Sequence, residues 1–213
     1  MEAKIVPGRE GQSLIEINRS RFLGVCRRIS SPEEASALID SQRQKYPDAR
    51  HCCYAWILSG EMNMQKYSDD GEPSGTAGMP ILSVITKNGI TDTAITVTRY
   101  FGGVLLGKGG LVRAYTEAAV AALKDSAPSE IIEGELYKFP LEYKISDRVI
   151  FELGNAGFEI TDTEYGEKVV ISVLTPAKEA QRLLSLVTEI SSGKVSGEKT
   201  GNLEMNSGKI IEF

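Results

Sequence analysis

The chain has 213 residues, 41% of them apolar and 25% charged, with a formal net charge of −5. That composition excludes a disordered or fibrous chain, and the length is comfortable for two domains. There are 15 basic against 16 acidic residues in 1–134, and 9 against 13 in 135–213. This is no polybasic nucleic-acid binder, so any RNA contact has to come from a local patch.

Residues Met1 to Glu10 show no apolar stretch after their charges, which predicts no secretory signal. The longest near-apolar run, Ala118 to Leu123, falls far short of the roughly 20 residues that span a bilayer, so no membrane segment is expected. Cys26, Cys52 and Cys53 are odd in number, and neighbours on a strand point to opposite faces, which leaves Cys52 and Cys53 poorly placed to pair. Reduced thiols in a cytoplasmic protein are the expectation. With one histidine, His51, and no C-x-x-C spacing, neither a zinc site nor any other metal or cofactor is expected.

In chain order, Ser13–Ile17 and Arg21–Ile29 read as strands joined by a turn at Asn18–Ser20. Ser31-Pro32-Glu33-Glu34 opens a helix as a capping box, with Ala35, Leu38, Ile39 and Tyr46 on one face and Pro47 as the stop. Cys53–Leu58 is a short apolar strand, and Ala94–Arg99 is another, rich in β-branched residues. A glycine-dense loop leads into a helix from about Gly110 to Lys124, whose Leu111, Ala114, Tyr115, Ala118, Ala119 and Ala122 fall at helical spacing. Ala127–Gly134 reads as the linker, dividing the chain into domains at 1–130 and 135–213.

The second half reads as strand Leu136–Tyr143, helix Ser146–Leu153, and a hairpin of Phe158–Tyr165 with Lys168–Leu174 across Gly166-Glu167. Thr175 and Pro176 then start a helix with Ala180, Leu183, Leu184 and Val187 inward, and Val195–Thr200 returns as a strand. The order βαββαβ is the ferredoxin-like plan. Residues 201–213 stay unassigned, with an extra strand suggested at Lys209–Phe213. The fold class is α+β, in two layers.

Three segments could carry chemistry. Ser68 to Gly78 packs Asp69, Asp70 and Glu72 into a Gly/Pro-rich turn. The carboxylates could hold a hard cation or work as an acid/base set with His51 nearby. Equally, Asp69 and Asp70 could close an Asx turn while Glu72 and Ser74 cap a following helix. The others are Arg99-Tyr100-Phe101-Gly102-Gly103 and Gly107 to Tyr115. Together they give seven positions of a phosphate-binding loop, but the eighth, where a hydroxyl must ligate Mg²⁺, is Gly109, and Val104 to Leu106 are apolar. A nucleotide hydrolase is excluded on that ground. A simpler anion site survives: the amides of Gly107, Gly109 and Gly110 at a helix N-terminus, with Lys108 beside them and Arg99 and Tyr100 at the strand end. The competing reading is that the glycines only permit a tight turn. Arg113 either joins that site or pairs with Asp69 or Asp70. Arg19, Arg21, Arg27 and Arg28 form a second basic cluster, which also suits the solvated charges of an edge strand.

Asp48-Ala-Arg-His51, Ser68 to Gly78, Arg99 to Gly103 and Leu106 to Tyr115 closely resemble, in order and spacing, the signature of the Impact family. The resemblance covers residues 13–125, and the remainder is similar to the ferredoxin-like domain of the bacterial YigZ-like branch. It implies a first domain shaped like the second domain of a small-subunit ribosomal protein and domain IV of elongation factor G. It implies a setting in translation: eukaryotic Impact proteins restrain an amino-acid-starvation kinase by competing for its ribosome-associated activator, with the help of a separate N-terminal domain. It brings no catalytic residues. Three readings follow: a module that binds RNA or the ribosome through the Arg99/Lys108 face, a metal-assisted hydrolase built on Asp69, Asp70, Glu72 and His51, or a module for a protein partner.

Overall fold

The chain begins with a short strand, β1 (Lys4–Val6), and a hairpin of β2 (Gly11–Ile17) and β3 (Ser20–Arg28). Residues 3–60 and 64–211 are described by the computed structural model. The hairpin turn is two residues long, with Asn18 and Arg19 at φ 47° and 64°, the left-handed pair whose twist matches that of the strands. Helix α1 (Pro32–Lys45) starts as its capping signal predicts. Ser31 Oγ accepts the Glu34 amide, and the Glu34 carboxylate reaches back to the Ser30 amide at 2.7 Å.

Then come β4 (His51–Leu58), β5 (Met64–Ser68), α2 (Gly78–Lys87), β6 (Thr93–Tyr100) and α3 (Gly107–Asp125). These strands form a sheet of order β2-β3-β6-β4-β5, antiparallel at each pairing. Alternation along the central strands sends residues to two different cores. Phe22, Cys53, Ile95 and Val97 pack under α2 and α3, whereas Val25, Trp56 and Ala94 pack under α1. Because β6 is covered on both faces, it is a run of buried β-branched and small residues rather than an alternating one. The alanines of α3 let it lie close on the sheet: a Cβ at Gly24 would sit 2.9 Å from the Ala118 carbonyl oxygen.

The rest of the chain gives β7 (Ser129–Leu141), α4 (Tyr143–Asn155), β8 (Glu159–Tyr165), β9 (Val169–Pro176), α5 (Ala180–Ile190) and β10 (Glu198–Ile210). The strand order β8-β9-β7, with β10 also on β7, is that of the ferredoxin-like plan. Phe139, Leu141, Val149, Leu153, Ile171 and Leu183 are among its buried core. The chain divides into two units, one built on Lys4–Glu130 and the other on Ile131–Ser207.

Several boundaries differ from the sequence reading. The segment read as a linker is strand from Ser129 onward. Gly134 is no breaker there: a Cβ would meet Met205 Sδ at 2.7 Å and Leu174 at 2.9 Å, so it marks close packing within a strand. Tyr143 starts α4 instead of ending β7, and Pro176 ends β9, followed by a 3-10 turn at Ala177–Glu179. The residues left unassigned after Thr200 continue β10 to Ile210; of the strand suggested at Lys209–Phe213, Glu212 and Phe213 lie outside the described residues. No helix among the described residues is long and apolar enough to cross a membrane.

Candidate functional site

The inner face of β6 runs Ile95, Val97, Arg99, so the strand that builds the core delivers a cation at its end. Cross-strand neighbours of Arg99 are Phe22 on β3 and His51 on β4. Its Nη1 donates to Glu72 Oε1 at 2.7 Å, with the two side chains 7% and 3% exposed. Tyr115 of α3 donates its hydroxyl to the same oxygen at 2.8 Å. The guanidinium carbon lies 5.4 Å from the Phe22 ring centroid and 5.5 Å from that of Phe101. Burial, and then the neighbouring Cys53 and Glu72, push the Tyr115 hydroxyl far up, so it remains a donor. The same burial raises the Cys53 thiol, and burial takes that of Cys26 to about 12, so both are inert as nucleophiles.

The acidic loop is tied up by its own backbone. Asp69 Oδ1 accepts the Ala77 and Gly78 amides at 2.9 and 2.8 Å, and Oδ2 accepts Gly75 at 2.9 Å. Partial burial acts to raise this carboxyl, but the three amides outweigh it and hold it below its usual value. The cap of α2 is therefore Asp69, and not Glu72 or Ser74 as the sequence suggested. Asp70 accepts the Cys52 amide at 2.7 Å and Arg43 Nη2 at 2.9 Å. His51 does come to this loop, but to its backbone: its Nδ1 donates to the Asp70 carbonyl at 2.8 Å, since a carbonyl can only accept. Each of the three carboxylates thus has protein partners, and no group of three or more His, Cys, Asp or Glu side chains could hold a metal ion among the described residues.

The glycine loop is different. Gly102 cannot carry a side chain, because a Cβ would lie 2.1 Å from the Arg19 backbone; its amide donates to Ser20 Oγ at 3.0 Å. Gly107 has φ +68°, which glycine adopts without strain. Helix α3 starts there, three residues before the expected Gly110, and its N-cap, Leu106, offers no side-chain hydrogen bond. Gly109 has open space where a Cβ would be, so packing does not demand glycine at that position. Among the described residues, no side-chain acceptor of the kind that closes α2 reaches the first amides of α3.

Around these residues lies a cavity of about 440 Å³. Glu72, Arg99 and His51 contribute to its lining, Phe101, Leu105 and Leu111 give it apolar surface, and Arg50 and Lys108 add two more cations. Among the described residues neither Arg50 nor Lys108 is ion-paired, and both are exposed. Because Glu72 neutralises Arg99, the lining keeps an excess of two positive charges in a chain whose net charge is −5.

Of the residues singled out from the sequence, Arg99, His51, Glu72, Gly107 and Lys108 do meet at this cavity. Arg99 is buried and paired, so it is no exposed strand-edge charge. Tyr100 alternates to the opposite face of β6, where its hydroxyl donates to Asp48 at 2.9 Å beneath Arg21, 4.9 Å from its ring centroid. Arg113 is exposed on α3, while Asp70 takes Arg43 and Asp69 takes amides; the Arg–carboxylate pair that joins the two motifs is Arg99–Glu72. Arg50 and Phe101 are among the lining residues that were not expected from the sequence. Their place in the motifs Asp48–His51 and Arg99–Gly103 was the available signal.

Fold and cavity define a two-unit α+β protein whose ferredoxin-like half accompanies a half carrying a cationic, partly apolar cleft. The chain belongs to the IMPACT family. Its residues 18–123 match the Impact N-terminal domain, and residues 141–194 match a domain of unknown function, DUF1949. It is 35% identical to the IMPACT family member YvyE of Bacillus subtilis, covering 91% of this chain and 88% of that one. It is 32% identical to the IMPACT family member YigZ of Escherichia coli, covering 92% and 97%. A solved structure described as the crystal structure of an hypothetical protein aligns over 94% of this chain and 98% of its own, at 31% identity and a TM-score of 0.60.

Proposed function

We propose that this protein is a cytoplasmic binding module for RNA, free or in the ribosome, and that it acts in the regulation of translation. The observation that carries the reading is the pair of cations, Arg50 and Lys108, that have no ion-pair partner among the described residues and stand beside the start of α3, whose N-cap Leu106 offers no side-chain acceptor. Helix amides and cations together favour phosphate. The regulatory setting comes from the family resemblance. A hydrolase is the weaker reading, because Asp69, Asp70 and Glu72 are each held by structural partners and His51 faces a carbonyl. A protein partner is the second reading, favoured by the exposed apolar residues Phe101, Val104 and Leu105.

Co-sedimentation with ribosomes and with total RNA at two salt concentrations tests the proposal. Wild-type protein should associate at low salt and be released as salt rises, and Lys108→Ala with Arg50→Ala should reduce the slope on salt. Equal association of wild type and double mutant would remove the phosphate site. Association that is independent of salt and lost with Leu105→Ser would favour the protein partner.

A further inference from the structure

The lining of the cavity bears on what kind of RNA it takes. Resting on the RNA reading, we infer that the cavity receives one unpaired nucleotide, its base inside and its phosphate at the start of α3. The volume of about 440 Å³ lies within the range of small-ligand sites. A duplex cannot use such a concavity, since its bases are stacked inside and it presents a convex backbone.

The chemistry of the lining divides in the same way as a nucleotide does. Phe101 is 51% exposed and Leu105 86% exposed, and Leu111 adds to the apolar wall, a surface suited to the face of a base. Arg99 beneath the Phe101 ring reinforces that wall with its charge. Glu72 uses one carboxylate oxygen for both Arg99 and Tyr115, and its other oxygen has no hydrogen-bond partner among the described residues. A carboxylate oxygen accepts only, so it suits the N–H groups on the Watson–Crick edge of a base, which pairing occupies in a duplex and leaves free in an unpaired base. Lys108 and Arg50 supply the charge for the phosphate, and the amides of the first helical residues, Gly107 to Gly109, which precede the first intrahelical bond, supply donors for it.

The test uses full-length protein and three ligands of equal length: single-stranded RNA, the same strand with abasic positions, and a blunt RNA duplex. Affinities are read by fluorescence anisotropy at low salt. The single strand should bind about tenfold more tightly than the abasic strand, as expected for one stacked base. The duplex should bind no better than the abasic strand. Phe101→Ala should abolish the difference between intact and abasic strands while leaving the abasic strand unchanged, and Lys108→Ala should weaken both alike. If Phe101→Ala fails to fold, Leu105→Ser replaces it, because that side chain is almost wholly exposed. Equal binding of intact, abasic and duplex RNA would overturn the inference while the RNA reading stands. An absence of binding to all three at low salt would end both.

Discussion

Two glycine-rich loops in the first unit each feed a helix, and they end in opposite states. In the loop before α2, Asp69 takes the amides of Gly75, Ala77 and Gly78, so the start of that helix is satisfied from within the chain. In the loop before α3, the cap position is Leu106, no side chain among the described residues accepts from the first amides, and two cations without an ion pair among those residues stand nearby. Glycine content does not distinguish these loops. What distinguishes them is whether the chain supplies its own anion to the helix start. A loop that does so is architecture, and a loop that does not leaves room for an anion from outside.

The largest effect should come from the pair that locks the two loops together. Arg99→Ala would strand Glu72 without its cation in the interior and should cost about 3–5 kcal/mol by urea denaturation. The double variant Glu72→Gln with Arg99→Met should cost less than Arg99→Ala alone, because no buried charge remains. Equal costs would mean that the network, and not the stranded charge, carries the stability.

A smaller loss is expected from the closed loop. Asp69→Ala should destabilise by about 1–3 kcal/mol, since it leaves three amides without their acceptor. The effect has a definite pH dependence. The folded-state pKa lies below the ordinary 3.8, so the contribution is complete above that value and is lost as pH falls through the lower folded value. The stability gap between wild type and Asp69→Asn should therefore be flat near neutrality and close in acid. A gap that widens in acid would contradict the capping role.

The smallest effect on folding belongs to the open loop. Lys108→Ala removes an exposed cation with no ion pair among the described residues and should shift stability by no more than about 0.5 kcal/mol. A larger loss in thermal melts would mean that Lys108 is structural after all, and the contrast between the loops would fail.

Much of this was legible in the sequence where local rules decide. The Ser31-Pro32-Glu34 cap, the turn expected at Asn18–Ser20, which forms at Asn18 and Arg19, and the spacing of Leu111, Ala114, Tyr115 and Ala118 each marked an element. Strand β5 was not legible, because Met64 to Tyr67 lie exposed on an edge and give no alternation. Helix α2 reads as a nearly unbroken apolar stretch, Met79 to Ile85, which has no face to mark its period. The gathering of His51, Arg99, Glu72 and Lys108 was visible as a set of motifs, but their burial was not. Arg99 reads as a surface cation until it is seen that Glu72, 27 positions earlier, sits against it and that Phe22 and Phe101 flank it.

The anchor at Gly102 has a consequence for the entropy of recognition. The loop is fastened at one end by the Gly102 amide on Ser20 and at the other by the first turn of α3 with its N-cap Leu106, so Gly103, Val104 and Leu105 are the residues that lie between the anchors. If ordering a residue costs about 1–2 kcal/mol, three residues bound the conformational loss on binding to a few kcal/mol, whereas a longer loop would forfeit more of its contact energy. The apolar tip can then be exposed in the free protein and still close on a small ligand without consuming the affinity that its contacts create.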